Sequence, residues 1–162
     1  MIILGVDPGS RRTGFGVIEA RGDVRRLIEQ GTVTAPARGS FEERLHQIYR
    51  GIRDLIERIH PDVIAVEDIF HAVNARSALL LGHVRGVVLL AGAEAGLPVR
   101  AYSPATVKLE VTGSGRAEKE QVAYMVARHL GLAGRGQAGD AADALAVALC
   151  HARHCRGDGG PS

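Results

Sequence analysis

Apolar positions along the chain fall into two rhythms: short runs and alternations suited to strands, and three-to-four-residue spacings suited to helices. Residues 2–6 are an apolar run too short for a helix, ended by the turn cluster Asp7-Pro8-Gly9-Ser10, and predict a first strand. Residues 13–20 and 24–34, separated by Arg21-Gly22-Asp23, predict two more, and three strands joined by short connections pair antiparallel. Ser40 with Glu43 three residues on is a capping box; Leu45, Ile48, Ile52, Leu55, Ile56 and Ile59 then follow helical spacing until Pro61 closes the helix. Residues 62–67 predict a buried strand, 74–96 a long apolar helix and 99–102 a short strand, an alternation that implies parallel pairing through right-handed crossovers. Helices are expected over 103–109, 118–130 and 140–154, with a Gly-rich, disordered tail over 156–162. The pattern predicts an α/β fold: a five-stranded mixed sheet, three antiparallel strands then parallel ones, flanked by helices in one domain of residues 1–155.

Composition narrows the class. A chain of 162 residues with 46% hydrophobic and 23% charged residues can bury a proper core. Two cysteines cannot staple a domain of this size, and the N-terminus shows no charged leader or cleavage site, so an intracellular, cytoplasmic protein is expected. The longest apolar stretch, residues 78–93, carries His83 and Arg85 and falls short of the roughly 20 apolar residues of a membrane span, so no membrane insertion is expected. The net charge of +2 is uneven: residues 1–70 hold 10 basic and 11 acidic side chains, residues 71–139 hold 8 and 4, and residues 140–162 hold 2 and 3. The basic middle suits a phosphate backbone and equally a solvated surface, so charge alone does not decide. Of the 20 basic residues only Lys108 and Lys119 are lysines.

The candidate chemistry is carboxylate chemistry. Asp7 and Glu67 stand at the carboxyl ends of the first and fourth strands, where open α/β sheets bind ligands. If those strands are parallel neighbours, the two acids emerge side by side and call for a cation between them. Asp140 and Asp143 project from one face at the start of the last helix. Taken alone, that pair reads first as a helix cap and a partner of the macrodipole; with Asp7 and Glu67 it reads as part of an all-oxygen ligand set for Mg²⁺ or Mn²⁺. Two such ions suit in-line phosphoryl displacement. Lys119 begins a helix behind the Gly113-Ser114-Gly115 loop, whose backbone N–H groups are expected to face a phosphate. The reading is a phosphodiesterase centre.

These residues lie in segments that resemble the RuvC family of Holliday-junction resolvases, over about residues 2–152. The segments are Gly5-Val6-Asp7-Pro8-Gly9-Ser10 with Thr13-Gly14, Ala65-Val66-Glu67, Phe70 with Asn74 and Ser77-Ala78, and Leu81-Gly82 with Arg85-Gly86. They continue with residues 104–108, 113–122 and 140–146. The resemblance implies the ribonuclease-H-like (retroviral-integrase) fold. It implies a Mg²⁺-dependent homodimer that nicks two strands of like polarity in a four-way DNA junction, leaving 5′-phosphate and 3′-hydroxyl ends. Asp7, Glu67, Asp140 and Asp143 match the family's metal-binding acids, and Lys108 and Lys119 its basic residues at the scissile phosphate. Phe70 falls where the family places an aromatic side chain that stacks on bases. Asn74, Arg76, Ser114, Gly115 and Arg116 are the further candidate DNA contacts. By resemblance the partners are the branch-migration proteins RuvA and RuvB, in recombination and repair.

Asp68 is expected to point away from Glu67 by strand alternation, and the tail, with Arg156 as its one basic residue, departs from a longer basic tail. The helix over 74–96 is apolar on both faces, with Gly82 and Gly86 four apart, so its second face is expected to form the dimer contact. Cys150, His151, His154 and Cys155 pair at i,i+4 and do not converge on one tetrahedral point, so a free buried Cys is expected rather than zinc. Three rival functions stand beside the resolvase. The Asp-Pro-Gly-Ser opening also resembles sugar kinases and actin-like ATPases, which need two such lobes. A nuclease of this fold acting on RNA or RNA–DNA hybrids is closer, and a non-catalytic junction-binding module is opposed by the intact acids.

Overall fold

The computed structural model describes residues 1–68, 74–132 and 139–157. Its sheet is the mixed one expected from the sequence, in the order β3-β2-β1-β4-β5. Strands β1 (Ile2–Asp7), β2 (Arg12–Arg21) and β3 (Val24–Thr34) pair antiparallel, and β4 (Val63–Glu67) and β5 (Val99–Tyr102) continue from β1 in parallel. Phe15 and Val17 on β2 face one way while Ile18, past a register shift, faces the other, so this strand is buried on both sides.

Alternation along β1 and β4 sorts side chains into two cores. Leu4, Val6, Ile64 and Val66 pack with helices α1 (Phe41–Ile59) and α2 (Ala75–Glu94). Ile3, Val63 and Ala65 face the opposite layer, made of α3 (Pro104–Thr112), α4 (Lys119–His129) and α5 (Asp140–Gly157). The capping box opening α1 forms as expected, with Ser40 accepting from the Glu43 N–H and Glu43 reaching back to the Ser40 N–H. Ile48, Ile52, Leu55 and Ile56 dock that helix, each contributing on the order of 2 kcal/mol over leaving it exposed. His60, one residue before Pro61, ends the helix in the left-handed region at φ 50° with its N–H still on the Ile56 carbonyl, and Pro61, which has no N–H to give, cannot carry the helix on.

Two other helices run further than their expected ends. α3 continues past Leu109 until Gly113 caps it at φ 83°, and α5 continues past His154 through residue 157. The expected tail therefore begins inside α5, and residues 158–162 lie outside the described residues. α2, 20 residues long, is the one helix, among the described residues, long and apolar enough by length and composition to cross a membrane, at mean hydropathy 1.3 over an 18-residue stretch. The length test that residues 78–93 were expected to fail is thus passed by the whole helix. Its Val84, Val88 and Ala91 are buried in the sheet core, while Leu79 and Leu90 stand 64% and 53% exposed.

Candidate active site

The parity that sorts the core also sorts the acids. Asp7 continues the series Ile3, Gly5 on β1, and Glu67 the series Val63, Ala65 on β4, so both side chains rise on the α5 side of the sheet. Val6 lies beside Val66 in the parallel register, which places Asp7 and Glu67 next to each other at the strand ends. Asp68 takes the other face and pairs with Arg85 of α2 at 3.3 Å, as alternation requires.

Glycines bring α5 down onto these strands. A Cβ on Gly5 would lie 2.1 Å from the Ala144 carbonyl oxygen, one on Gly14 2.1 Å from that of Asp140, and one on Gly16 2.6 Å from the Leu145 side chain. Gly14 is also the register partner of Asp7. The backbone of Asp140 therefore sits directly over β2 beside Asp7, and the first turn of α5 delivers Asp140 and Asp143 to the strand ends. Behind them, residues from Ala144 to Cys150 are buried throughout, which anchors the turn. Glycine in a strand marks such close approach, so this signal is present in the sequence, where Gly5 and Gly14 enter only through the family resemblance and Gly16 not at all.

Asp7, Asp140 and Asp143 each offer a carboxylate oxygen, all three within 4.8 Å of one another. Glu67 is not part of that set and flanks it. Burial, then the charges of Glu67, Asp143 and Asp140, push the Asp7 carboxyl from 3.8 up to about 8, against the opposing pull of Lys119. Burial and Asp143 raise Glu67 as well, opposed by Lys119 and Lys108. An all-oxygen cluster whose members repel one another fits a hard divalent cation and gives it a reason to bind.

Two cations already touch the cluster. Lys119 Nζ donates to Asp143 Oδ2 at 2.6 Å, which raises the lysine's own affinity for its proton. Arg12 Nε lies 3.5 Å from Asp140 Oδ2. Arg12 was not among the residues singled out from the sequence, because only the descent of α5 onto Gly14 brings it to an acid 128 positions away.

The remaining candidates are placed as follows. The expected phosphate-facing loop turns largely on itself: the Ser114 N–H bonds Thr112 Oγ1, the Arg116 N–H bonds Ser114 Oγ, and the Gly113 and Ala117 N–H groups bond carbonyls. The hydroxyl of Thr112, the last residue of α3, supplies the competing acceptor. Among the described residues the Gly115 N–H is left over. Asn74 is the N-cap of α2, accepting from the Ser77 N–H, and Arg76 is exposed on the first turn. Phe70 lies outside the described residues.

At the far end of α5, Cys150 is buried, with its thiol pushed up to about 12 by burial, and Cys155 is exposed. His151 Nδ1 meets the Tyr102 hydroxyl at 2.6 Å and its Nε2 lies 3.3 Å from Cys155 Sγ, while His154 faces Glu110 at 3.5 Å, so the two histidines turn to different polar partners.

A family model of crossover junction endodeoxyribonuclease RuvC matches residues 3–151. The chain is 50% identical over 152 residues to the crossover junction endodeoxyribonuclease RuvC of Chloroflexus aggregans, covering 94% of this chain and 93% of that one. It is 49% identical to the protein of the same name from Moorella thermoacetica, over 94% and 91% of the two chains. Among solved structures it is similar to Thermus thermophilus RuvC in complex with Holliday junction substrate, with TM-score 0.90, 37% identity, and 96% and 95% of the two chains covered. A yeast mitochondrial Holliday junction resolvase, at TM-score 0.66 and 12% identity over 93% and 78%, shares the fold.

Proposed function

Because the chain belongs to the RuvC family of crossover junction endodeoxyribonucleases, with its ribonuclease-H-like fold, we propose that it resolves four-way DNA junctions by paired, metal-dependent nicks in strands of like polarity. The observation that carries the reading is the convergence of Asp7, Asp140 and Asp143 at the sheet's carboxyl ends with Lys119 in contact. Asp7, Asp140 and Asp143, flanked by Glu67, would hold Mg²⁺, with Mn²⁺ as substitute and two ions per site. When bound, such ions supply Lewis acidity and a water acidic enough to attack a phosphodiester near neutral pH.

The chain's own groups do the rest. Lys119 has a charge to offer the scissile phosphate once Asp143 is otherwise neutralised, and Lys108 adds positive potential beside Glu67. Ser114, the Gly115 N–H and Arg116 of the α3–α4 connection, with Asn74 and Arg76 at the start of α2, are the further DNA contacts of this reading, and Phe70, outside the described residues, is its base-stacking side chain. Attack by water on phosphorus forms one P–O bond and breaks the bond to the 3′-oxygen; the attacking water gives up a proton and the departing oxygen takes one from solvent, giving 5′-phosphate and 3′-hydroxyl ends.

Paired nicks need two sites. The exposed face of α2, with Ala78, Leu79, Gly82, His83, Gly86 and Leu90 lining a groove of about 820 Å³, supports a homodimer through that helix. Added Cβ atoms at Gly82 and Gly86 would meet nothing within 4 Å, so a second helix can approach there. Residues 1–155 then act as one nuclease domain, working with RuvA and RuvB in recombination and repair in the bacterial cytoplasm.

The test is incubation with a synthetic mobile four-way junction, with and without Mg²⁺, mapping nicks on all strands. Symmetric paired nicks that require the metal are expected. Cleavage confined to RNA–DNA hybrids, or junction binding without nicks, would overturn the reading in favour of its rivals.

A further inference from the structure

Lys119 and Lys108 both serve the carboxylates from the α3–α4 side, and the opposite side is bordered by β2. Arg12 begins that strand. Its side chain shares a face with Gly14, the residue over which Asp140 sits, and its Nε lies 3.5 Å from Asp140 Oδ2. The two partners are 63% and 38% exposed, and an ion pair so open to water contributes little to stability. Among the described residues the two terminal nitrogens of the guanidinium make no hydrogen bond, so the planar fork that suits a phosphate is free and faces outward.

The backbone under Arg12 is held firmly. The buried Thr13 hydroxyl donates to the Gly9 carbonyl at 3.0 Å and accepts from the Gly9 N–H, and the Ala35 N–H bonds the Arg11 carbonyl at 2.9 Å. A Cβ on Gly9 would lie 2.1 Å from the Arg12 carbonyl oxygen, so the β1–β2 turn closes tightly against this residue. An arginine set on a fixed strand end beside a carboxylate cluster is pre-positioned for a ligand.

We propose that Arg12 binds a phosphate of the cleaved DNA strand on the β2 side of the carboxylates, so that Arg12 and Lys119 bracket the strand. The assignment rests on the junction-cleaving function argued above. It gives the Asp140 contact a role in the free protein: the carboxylate holds the guanidinium in place until a cation on Asp140 takes over the neutralisation. The fork is then left with its full charge toward DNA.

The experiment compares wild type, Arg12→Ala and Arg12→Lys for four-way-junction affinity across a salt series, with Ca²⁺ in place of Mg²⁺, beside calorimetric Mn²⁺ titration of the free proteins. Loss of one phosphate contact is expected to weaken Arg12→Ala about 10-fold and to reduce the slope of log affinity against log salt by about 1. Arg12→Lys is expected to restore the slope and only part of the affinity, because the bidentate geometry is gone. An unchanged slope for Arg12→Ala overturns the proposal. So does an unchanged slope with weakened Mn²⁺ binding, the signature of an arginine that acts only on Asp140. Wild-type nicking in Mg²⁺, read in parallel, tests the underlying function separately; nicking without an Arg12 effect sinks this assignment alone.

Discussion

Asp7→Asn should make the metal-free protein more stable while abolishing cleavage. Asp7 is held by its surroundings at about 8 against an ordinary 3.8, with burial the larger cause and Glu67, Asp143 and Asp140 adding to it. An acid raised on folding keeps its proton in the folded chain where the unfolded chain has lost it, so stability falls as pH rises from about 4 to about 8 and levels off beyond. At roughly 1.4 kcal/mol per unit, the whole shift of about 4 units corresponds to a ceiling near 6 kcal/mol. Water and counter-ions drawn into the cluster reduce the realised cost to about 2–3 kcal/mol. For a chain of this length that is a gain of about 5–10 °C in melting temperature for the asparagine variant above pH 8. Melts followed by circular dichroism in EDTA, near pH 5.5 and pH 8.5, check it. The wild type should lose stability between the two and the variant much less, and Mg²⁺ should restore the wild type more than the variant. A wild type whose melting temperature is flat or rising across that range, or a variant no more stable at the higher pH, would refute the electrostatic account.

Gly14→Ala places a methyl 2.1 Å from the Asp140 carbonyl oxygen, so α5 must lift; a loss of about 3 kcal/mol is expected by urea denaturation, with weakened Mn²⁺ binding. Wild-type metal affinity in that variant would detach the glycine from the site. Lys119→Ala should slow single-turnover junction cleavage by about 100-fold while leaving Mn²⁺ bound, since it removes a cation and no carboxylate. Replacing the exposed Leu79 and Leu90 by Glu should convert a dimer to monomers in analytical ultracentrifugation, with little change in melting of the single chain. A dimer that survives both changes would mean the contact lies elsewhere.

Periodicity and turn chemistry were enough for α1 because residues of strong preference bound it, Ser40 as a cap and Pro61 after its end, whereas α3 runs past its expected end to Gly113, which the sequence assigns to a phosphate-facing loop. Parity along β1 and β4 likewise made the Asp7–Glu67 pairing and the opposite facing of Asp68 legible. What the chain did not disclose depends on contacts remote in sequence. The Arg12–Asp140 pair exists only because a helix settles on Gly14, and no local pattern encodes it. The loop at residues 113–117 looked like a phosphate cradle, and the Thr112 and Ser114 hydroxyls take up N–H groups that a phosphate would have needed. α2 was legible as a helix apolar on both faces, but periodicity has nothing by which to choose which face is buried and which exposed.

Strand β4 ends in two consecutive carboxylates that serve opposite layers of the molecule. Glu67 borders the carboxylate cluster, and Asp68, one peptide further, pairs with Arg85 on the helix proposed to meet a second copy. In the proposed dimer, assembly and incision would be mechanically adjacent. A slight displacement of α2 as two copies came together would reach the carboxylate cluster through the Asp68–Arg85 pair and one peptide unit. Each copy would then have a short physical route by which the presence of its mate is felt at the acids.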